Sequence, residues 1–341
     1  MSDSPKKINL ALQGGGSHGA FTWGVLDRLL DDERIEIDAI TGTSAGAMNA
    51  VALVSGYLDG GRQGARDALE RFWTSVSRER GMSPVQRDLF DKLFGAFKFD
   101  GTPLHFWMDF FGRFASPYDF NPLNINPLRD HLADAIDFQK VRACESIKLF
   151  VAATNVHTGK IHIFNRAELT PDHIMASACL PTLFQAVEID GVPYWDGGYL
   201  GKPAIFPLFY ESKTPDIVLV QVNPVVRAET PRTVQDIQNR LNEITFNAAL
   251  MSEFRAIDFV MRLVDSGRLS RTEYMRPFMH RIHGAEAVAA FSAATKFDTR
   301  WRLLLSLRDI GRQAADDWLA ASFDAIGERS TMDLREGYVR R

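Results

Sequence analysis

The run Ile40-Thr41-Gly42-Thr43-Ser44-Ala45-Gly46-Ala47-Met48-Asn49 constrains this chain more than any other stretch. It reads as a short apolar strand turned abruptly into a helix, with a serine at the bend, the pattern of a nucleophile elbow. Gly42 and Gly46, two residues either side of Ser44, let the backbone fold tightly where a Cβ would collide with the neighbouring strand and helix. The serine hydroxyl is then held out at the turn in a strained conformation. The helix that starts at Ala45 aims unpaired N–H groups at the alkoxide end of that serine. Alone, the pattern also fits a plain strand-to-helix turn with a buried serine, so the rest of the chain decides.

Lys7 to Leu12 reads as a first buried strand, followed by Gln13-Gly14-Gly15-Gly16-Ser17-His18-Gly19-Ala20 and a helix from about Phe21 to Asp31. A glycine run between strand and helix exposes consecutive backbone N–H groups backed by a helix dipole, which makes a site for a phosphate or an oxyanion. Gly14, Gly16 and Gly19 also satisfy the Gly-x-Gly-x-x-Gly dinucleotide fingerprint, with Asp38 near the end of the next strand as a ribose-binding acid. A nicotinamide site has no need of a strained serine directly after that acid. The dinucleotide-binding reading therefore stands as the alternative.

Further along, helices are expected over 45–57 and 63–78, separated by Asp59-Gly60-Gly61. From Met82 to Asn126 the chain carries Phe90, Phe94, Phe97, Phe99, Phe106, Trp107, Phe110, Phe111, Phe114, Tyr118 and Phe120 without a clean period. It reads as an aromatic-packed cap, part of which could line an acyl pocket or touch lipid. Strands are expected at 147–155, at 160–164 as its hairpin partner, and at 186–195 as a second hairpin turning at Asp190-Gly191. That hairpin delivers Asp196-Gly197-Gly198 at a strand end. The sequence then predicts a parallel strand at 216–222, an edge strand at 279–282, and long helices at 234–264 and 299–322. The latter reads as amphipathic and packed on the sheet, and the tail after Gly327 as frayed.

The 341 residues are 45% hydrophobic and 24% charged, with a net charge of -4. That is an ordinary globular composition, and no basic stripe with interleaved aromatics suggests a nucleic-acid partner. No stretch approaches the roughly 18 apolar residues of a membrane span, and the N-terminus lacks a secretory signal. Cys144 and Cys179 are too few for a disulfide framework or a metal cluster. A reducing, cytoplasmic setting is the expectation, with peripheral contact to a membrane surface as the way to reach a lipid.

Three pieces occur in a set order: Gln13-Gly-Gly-Gly-Ser-His-Gly after the first strand, Gly42-Thr-Ser-Ala-Gly after the second, and Asp196-Gly-Gly late in the chain. With the linking Ala176-Ser-Ala-Cys-Leu-Pro181-Thr-Leu-Phe184, they make the chain resemble the patatin-like phospholipases over about residues 6 to 225. The resemblance implies a three-layer α/β/α fold with a mostly parallel central sheet, a cap insertion at about 82–126, and a helical region from 226 packed on the same domain. It implies a serine lipid acyl hydrolase with a Ser-Asp dyad: Ser44 as nucleophile, Asp196 as general base, and Gly14, Gly15, Gly16, Ser17 and His18 around the oxyanion. Gly42, Gly46, Gly197 and Gly198 would support the two catalytic turns. Neither a metal nor a cofactor is implied, and the partner is a lipid or ester substrate.

Three departures from the family pattern bear on rate and substrate preference. Gln13 stands where an Asp commonly precedes the glycines, His18 where Arg or Lys is usual, and Tyr199-Leu-Gly-Lys-Pro-Ala follows the second glycine. A histidine near its ordinary pKa of about 6.5 would charge the loop only at mildly acid pH. Two other readings remain: a Ser-His-Asp triad using His280 or His283, and a non-catalytic relative that binds lipid on the same scaffold.

Overall fold

The computed structural model describes residues 4–77, 116–227, 229–284, 287–288, 291, 293–335 and 338. Residues 78–115, which hold most of the aromatic cap segment, lie outside the described residues. The eight strands are β1 (Lys6–Leu12), β2 (Ile35–Gly42), β3 (Lys148–Asn155), β4 (Lys160–Asn165), β5 (Val187–Ile189), β6 (Val192–Asp196), β7 (Asp216–Gln221) and β8 (Phe278–His283). They form one sheet in the order β5-β6-β3-β2-β1-β7-β8, with β4 paired to β3. The run β3-β2-β1-β7-β8 is parallel, whereas β4, β5 and β6 add antiparallel pairs at one side. Parallel strands covered on both faces need apolar residues at every position. β7 meets that demand: Val218 and Val220 pack in one core and Ile217 and Leu219 in the other.

On the first face lie α1 (Gly19–Asp31), α2 (Ala45–Val76), α3 (Pro127–Ala135), α4 (Phe138–Ala143) and α8 (Trp301–Ser322), while α5 (Pro171–Ser177) follows β4. The second face carries α6 (Phe206–Glu211) and α7 (Val234–Asp265), with Leu208, Leu250 and Phe254 buried against the sheet. The chain is thus an α/β/α sandwich. α2 is two helical segments across a kink at Gly60 and Gly61, where Gly61 has φ 58°, in agreement with the Asp59-Gly-Gly turn read from the sequence. The Asp190-Gly191 turn is likewise as expected, with φ of 50° and 77° at its two residues.

Two expectations need correction. The amphipathic helix α8 packs chiefly on α1 rather than directly on the sheet: a Cβ at Gly311 would collide with the carbonyl of Phe21, and one at Gly24 with that of Arg308. The glycine pair lets the two helices approach more closely than side chains would allow. The tail after Gly327 is not frayed where it is described, because Met332, Leu334 and Tyr338 are buried beside Phe254 and Met279. Apolar residues in a polar tail found a groove that the local composition did not reveal.

Candidate active site

The sheet register brings the elbow and the Asp196 turn together. β2 pairs with the first half of β3 and stops at Gly42, opposite Val151. β6 takes over the same side of β3 from the other direction, ending with Asp196 opposite Ala153. Two residues of β3 span about 7 Å, so the ends of β2 and β6 meet almost tip to tip. Ser44 follows Gly42 by two residues and therefore lies beside Asp196. The Ser44 hydroxyl is near enough to the Asp196 carboxylate to favour its ionised form.

Local packing fixes both turns. Ser44 has φ 56° and ψ -125°, a conformation that side-chain-bearing residues rarely adopt, and it is the strained residue expected of the elbow. The bend survives because a Cβ at Gly46 would strike the Leu12 carbonyl and one at Gly42 would lie 2.9 Å from the Ala47 nitrogen. The Ser44 N–H donates to Ser177 Oγ at 2.9 Å, which gives the last residue of α5, within the linking segment, a role in holding the elbow. On the other side, Gly197 lies flat against the Ala152 carbonyl. Thr43 Oγ1 and Thr41 Oγ1 donate to the carbonyls of Gly201 and Ala204, both at 2.7 Å, and stitch the loop after Asp196 onto β2.

Asp196 is buried, and burial pushes its carboxyl above the ordinary range, opposed by the Lys202 charge, the Gly198 N–H and the Ser44 hydroxyl. Its Oδ1 accepts the Gly198 N–H at 2.6 Å, so the second glycine orients the carboxylate. Lys202 is buried too, its ammonium 3.8 Å from the centroid of the Phe246 ring. Among the described residues that ammonium makes no hydrogen bond or ion pair. Burial pulls it down to about 7, Lys296 adding to the fall while Asp196 and Glu243 resist it.

The glycine loop closes the third side. A Cβ at Gly14 would stand 2.7 Å from Ser44 Cβ and 3.4 Å from Ser44 Oγ, so the loop backbone lies directly against Ser44. Gly16 has φ 59° and sits under the Lys296 carbonyl. Among the described residues, the N–H groups of Gly14, Gly15 and Gly16 have no partner, whereas that of His18 donates to the Gly15 carbonyl at 3.2 Å. Ser17 is buried at the turn.

The expectation for His18 is corrected. Its ring is buried and hydrogen-bonded through Nε2 to Thr295 Oγ1 at 2.7 Å. Burial, helped by Lys296, takes it down to about 3, so it stays neutral at mildly acid pH and brings no charge to the loop. The positive charge near the site comes instead from Lys202 and Lys296. Gln13, the other departure, is fully buried and joins three loops: Oε1 accepts from the N–H groups of Val222 and Asn223 at 3.0 Å, and Nε2 donates to the Lys202 carbonyl at 3.3 Å. A carboxylate could not make the last contact.

The alternative histidines and the ribose acid lie elsewhere. His280 is buried in β8 with both ring nitrogens engaged, Nε2 by Asp216 at 3.0 Å and Nδ1 by Thr331 at 2.9 Å. Two strands, β1 and β7, separate β2 from β8, and His283 lies on β8 as well. Asp38 is the extra residue of a bulge in β2, between Ile37 and Ala39. Burial favours its neutral form, but Ser212 and Lys148 outweigh that and hold its carboxyl below the ordinary value. It does not face the glycine loop across the strand ends, as a ribose acid would. Among the described residues, no group of three or more His, Cys, Asp and Glu could hold a metal, and no helix is long and apolar enough to cross a membrane.

The mostly parallel sheet with helices on both sides gives the fold class, and comparison with known proteins gives the family. A patatin-like phospholipase family model matches residues 10–209, and the chain belongs to the patatin-like phospholipase family. Membership supports a lipid hydrolase in general terms. No curated protein matches the chain. Among solved structures it is similar to VipD from Legionella pneumophila, with 16% identity, TM-score 0.40, and coverage of 98% of this chain and 73% of that one. It is also similar to a structure of full-length SpcU in complex with full-length ExoU from the type III secretion system of Pseudomonas aeruginosa, with 14% identity, TM-score 0.29, and coverage of 98% and 77%.

Proposed function

We propose that this protein is a serine hydrolase of lipid acyl esters, of the phospholipase A, lysophospholipase or carboxylesterase type, acting through a Ser44-Asp196 dyad. A serine hydroxyl is a poor nucleophile at neutral pH and needs a base within hydrogen-bond reach. Asp196 is that base. Burial raises its affinity for a proton, and the Lys202 charge opposes that rise.

As Ser44 Oγ attacks the ester carbonyl carbon, its proton passes to the Asp196 carboxylate and the carbonyl electron pair moves onto oxygen. The free N–H groups of Gly14 to Gly16 receive that oxyanion; losing one such donor typically costs about 3 kcal/mol of barrier stabilisation. Collapse of the tetrahedral intermediate expels the alcohol, which takes the proton back from Asp196 and leaves an acyl-Ser44. Water then attacks with Asp196 again accepting a proton, and the fatty acid departs as Ser44 is reprotonated.

The observation that carries the proposal is the meeting of a strained Ser44 with a buried carboxylate beside unpartnered loop amides. The test is mass spectrometry of fatty acids released from phosphatidylcholine and lysophosphatidylcholine carrying distinguishable acyl chains, with a nitrophenyl ester in parallel. Release by the wild type and none by Ser44→Ala is the expected result. A well-folded wild type that cleaves none of the three rejects the proposal.

A further inference from the structure

Asn223, just past β7, is a buried amide that the mechanism above leaves unused. Its Nδ2 donates to the Gly14 carbonyl at 2.8 Å, and its Oδ1 accepts from Lys296 Nζ at 2.9 Å. Those two contacts settle which way the amide faces, because an ammonium only donates and a carbonyl only accepts. Gln13 Oε1, accepting from the Asn223 backbone N–H, ties the same residue to the end of β1.

The peptide joining Gly14 to Gly15 is trans, so its C=O and N–H point to opposite sides. In the sheet, β1 lies between β2 and β7. Asn223 draws the Gly14 carbonyl toward the β7 side. The Gly15 N–H of that peptide is thereby turned to the β2 side, where Ser44 stands against Gly14. A loop of three glycines has no side chains to hold one peptide orientation by itself.

We propose that Asn223, oriented by Lys296, is a positioning residue that aims the Gly15 N–H at the oxyanion formed on Ser44. The proposal rests on the hydrolase reading given above. Asn223 touches neither the substrate nor the reacting atoms; it acts through the Gly14–Gly15 peptide. Because the donor is held before the reaction begins, no reorganisation is needed as charge develops.

Asn223→Asp is the sharpest test. It keeps the side-chain shape, removes the donor to Gly14, and puts a carboxylate where Lys296 can pair with it, so the fold keeps its anchor. Asn223→Ala is the companion. Turnover of a nitrophenyl ester is measured per active site counted with a fluorophosphonate, together with inhibition by an acyl trifluoromethyl ketone, whose serine adduct carries the oxyanion, and by an unreactive ether analogue.

The expected result is a loss of about a hundredfold in kcat for both variants with KM held within about threefold. The ketone should weaken by a similar factor and the ether analogue should bind as before. Unchanged kcat and ketone affinity in Asn223→Asp would overturn the inference. So would a defect confined to the active fraction or Tm, which marks a merely structural residue. A wild type indistinguishable from Ser44→Ala refutes the hydrolase reading itself and takes this inference with it.

Discussion

Gly14→Ala isolates the close approach between the glycine loop and Ser44, the proposed nucleophile. The added Cβ would lie 2.7 Å from Ser44 Cβ and 2.8 Å from the Thr43 carbonyl oxygen. Carbon atoms settle at about 3.5 to 4.0 Å, so loop and elbow must part by roughly 1 Å. Neither neighbour is the end of a flexible chain: one is backbone and the other is pinned by the elbow's own geometry. A misplacement of about 1 Å at a reacting centre can reduce the rate about a hundredfold, and overpacking costs about 1 to 3 kcal/mol of stability. Gly15→Ala is the control, since its Cβ meets only Val222 Cγ1 at 3.0 Å and then ordinary contacts, and a valine methyl can give way. Second-order labelling rates with a fluorophosphonate, read beside urea unfolding, compare the two. Gly14→Ala is expected to fall about a hundredfold and Gly15→Ala by less than about tenfold. Equal effects, or a Gly14→Ala enzyme that labels like wild type, would refute the reasoning.

Other outcomes follow from the buried groups around the proposed dyad. The pH–rate profile should keep its shape in His18→Gln, because that ring is held down at about 3; a limb near the ordinary histidine value that vanishes in the variant would contradict this. Lys202→Met removes the cation that opposes protonation of Asp196, so the acid limb should move to higher pH and activity at pH 6 should fall more than at pH 9. The same lysine sits at about 7 when folded against 10.5 when free, so the unfolded chain binds more protons between those values. Wild-type stability should therefore rise with pH across that window, by on the order of a few kcal/mol, and the rise should disappear in Lys202→Met. Gln13→Asp loses the donor to Lys202 and shortens the reach to Val222 and Asn223; urea unfolding should show a loss of about 1 to 3 kcal/mol for each buried group left unpaired.

The parts of the site visible in the sequence are those that backbone geometry demands. A Ser44 with positive φ needs Gly42 and Gly46 around it, a loop pressed on Ser44 needs Gly14, and a strand end pressed on β3 needs Gly197. Such needs leave glycines at fixed spacing, which can be read without coordinates. The β5-β6 hairpin was legible for the same reason, through Asp190-Gly191. Lys296, Asn223 and Ser177 leave no such trace, because each matters through contacts made across 70 or more residues of chain, and Lys202 leaves none because it matters through its burial beside Asp196 and Phe246. Ser177 did stand within the linking segment, but its bond to the Ser44 N–H follows only from the placement of α5. His18 illustrates the opposite limit: its residue type suggested a titrating charge, and burial against Thr295 and Lys296 removed it. Environment, not spacing, decides such a case. The tail and α8 differ from expectation because helix-to-helix contact at Gly24 and Gly311, and a groove filled by Leu334, are tertiary facts.

The most direct measurement is to locate the covalent adduct and ask what it requires. Wild type, Ser44→Ala and Asp196→Asn, matched for Tm, are treated with a fluorophosphonate and digested for peptide mass spectrometry. The expected adduct lies on Ser44, is absent from Ser44→Ala, and forms at least about a hundredfold more slowly in Asp196→Asn, in keeping with the usual contribution of a general base. An adduct on another residue, or one that forms on Ser44 at the wild-type rate without the Asp196 carboxylate, would contradict the dyad.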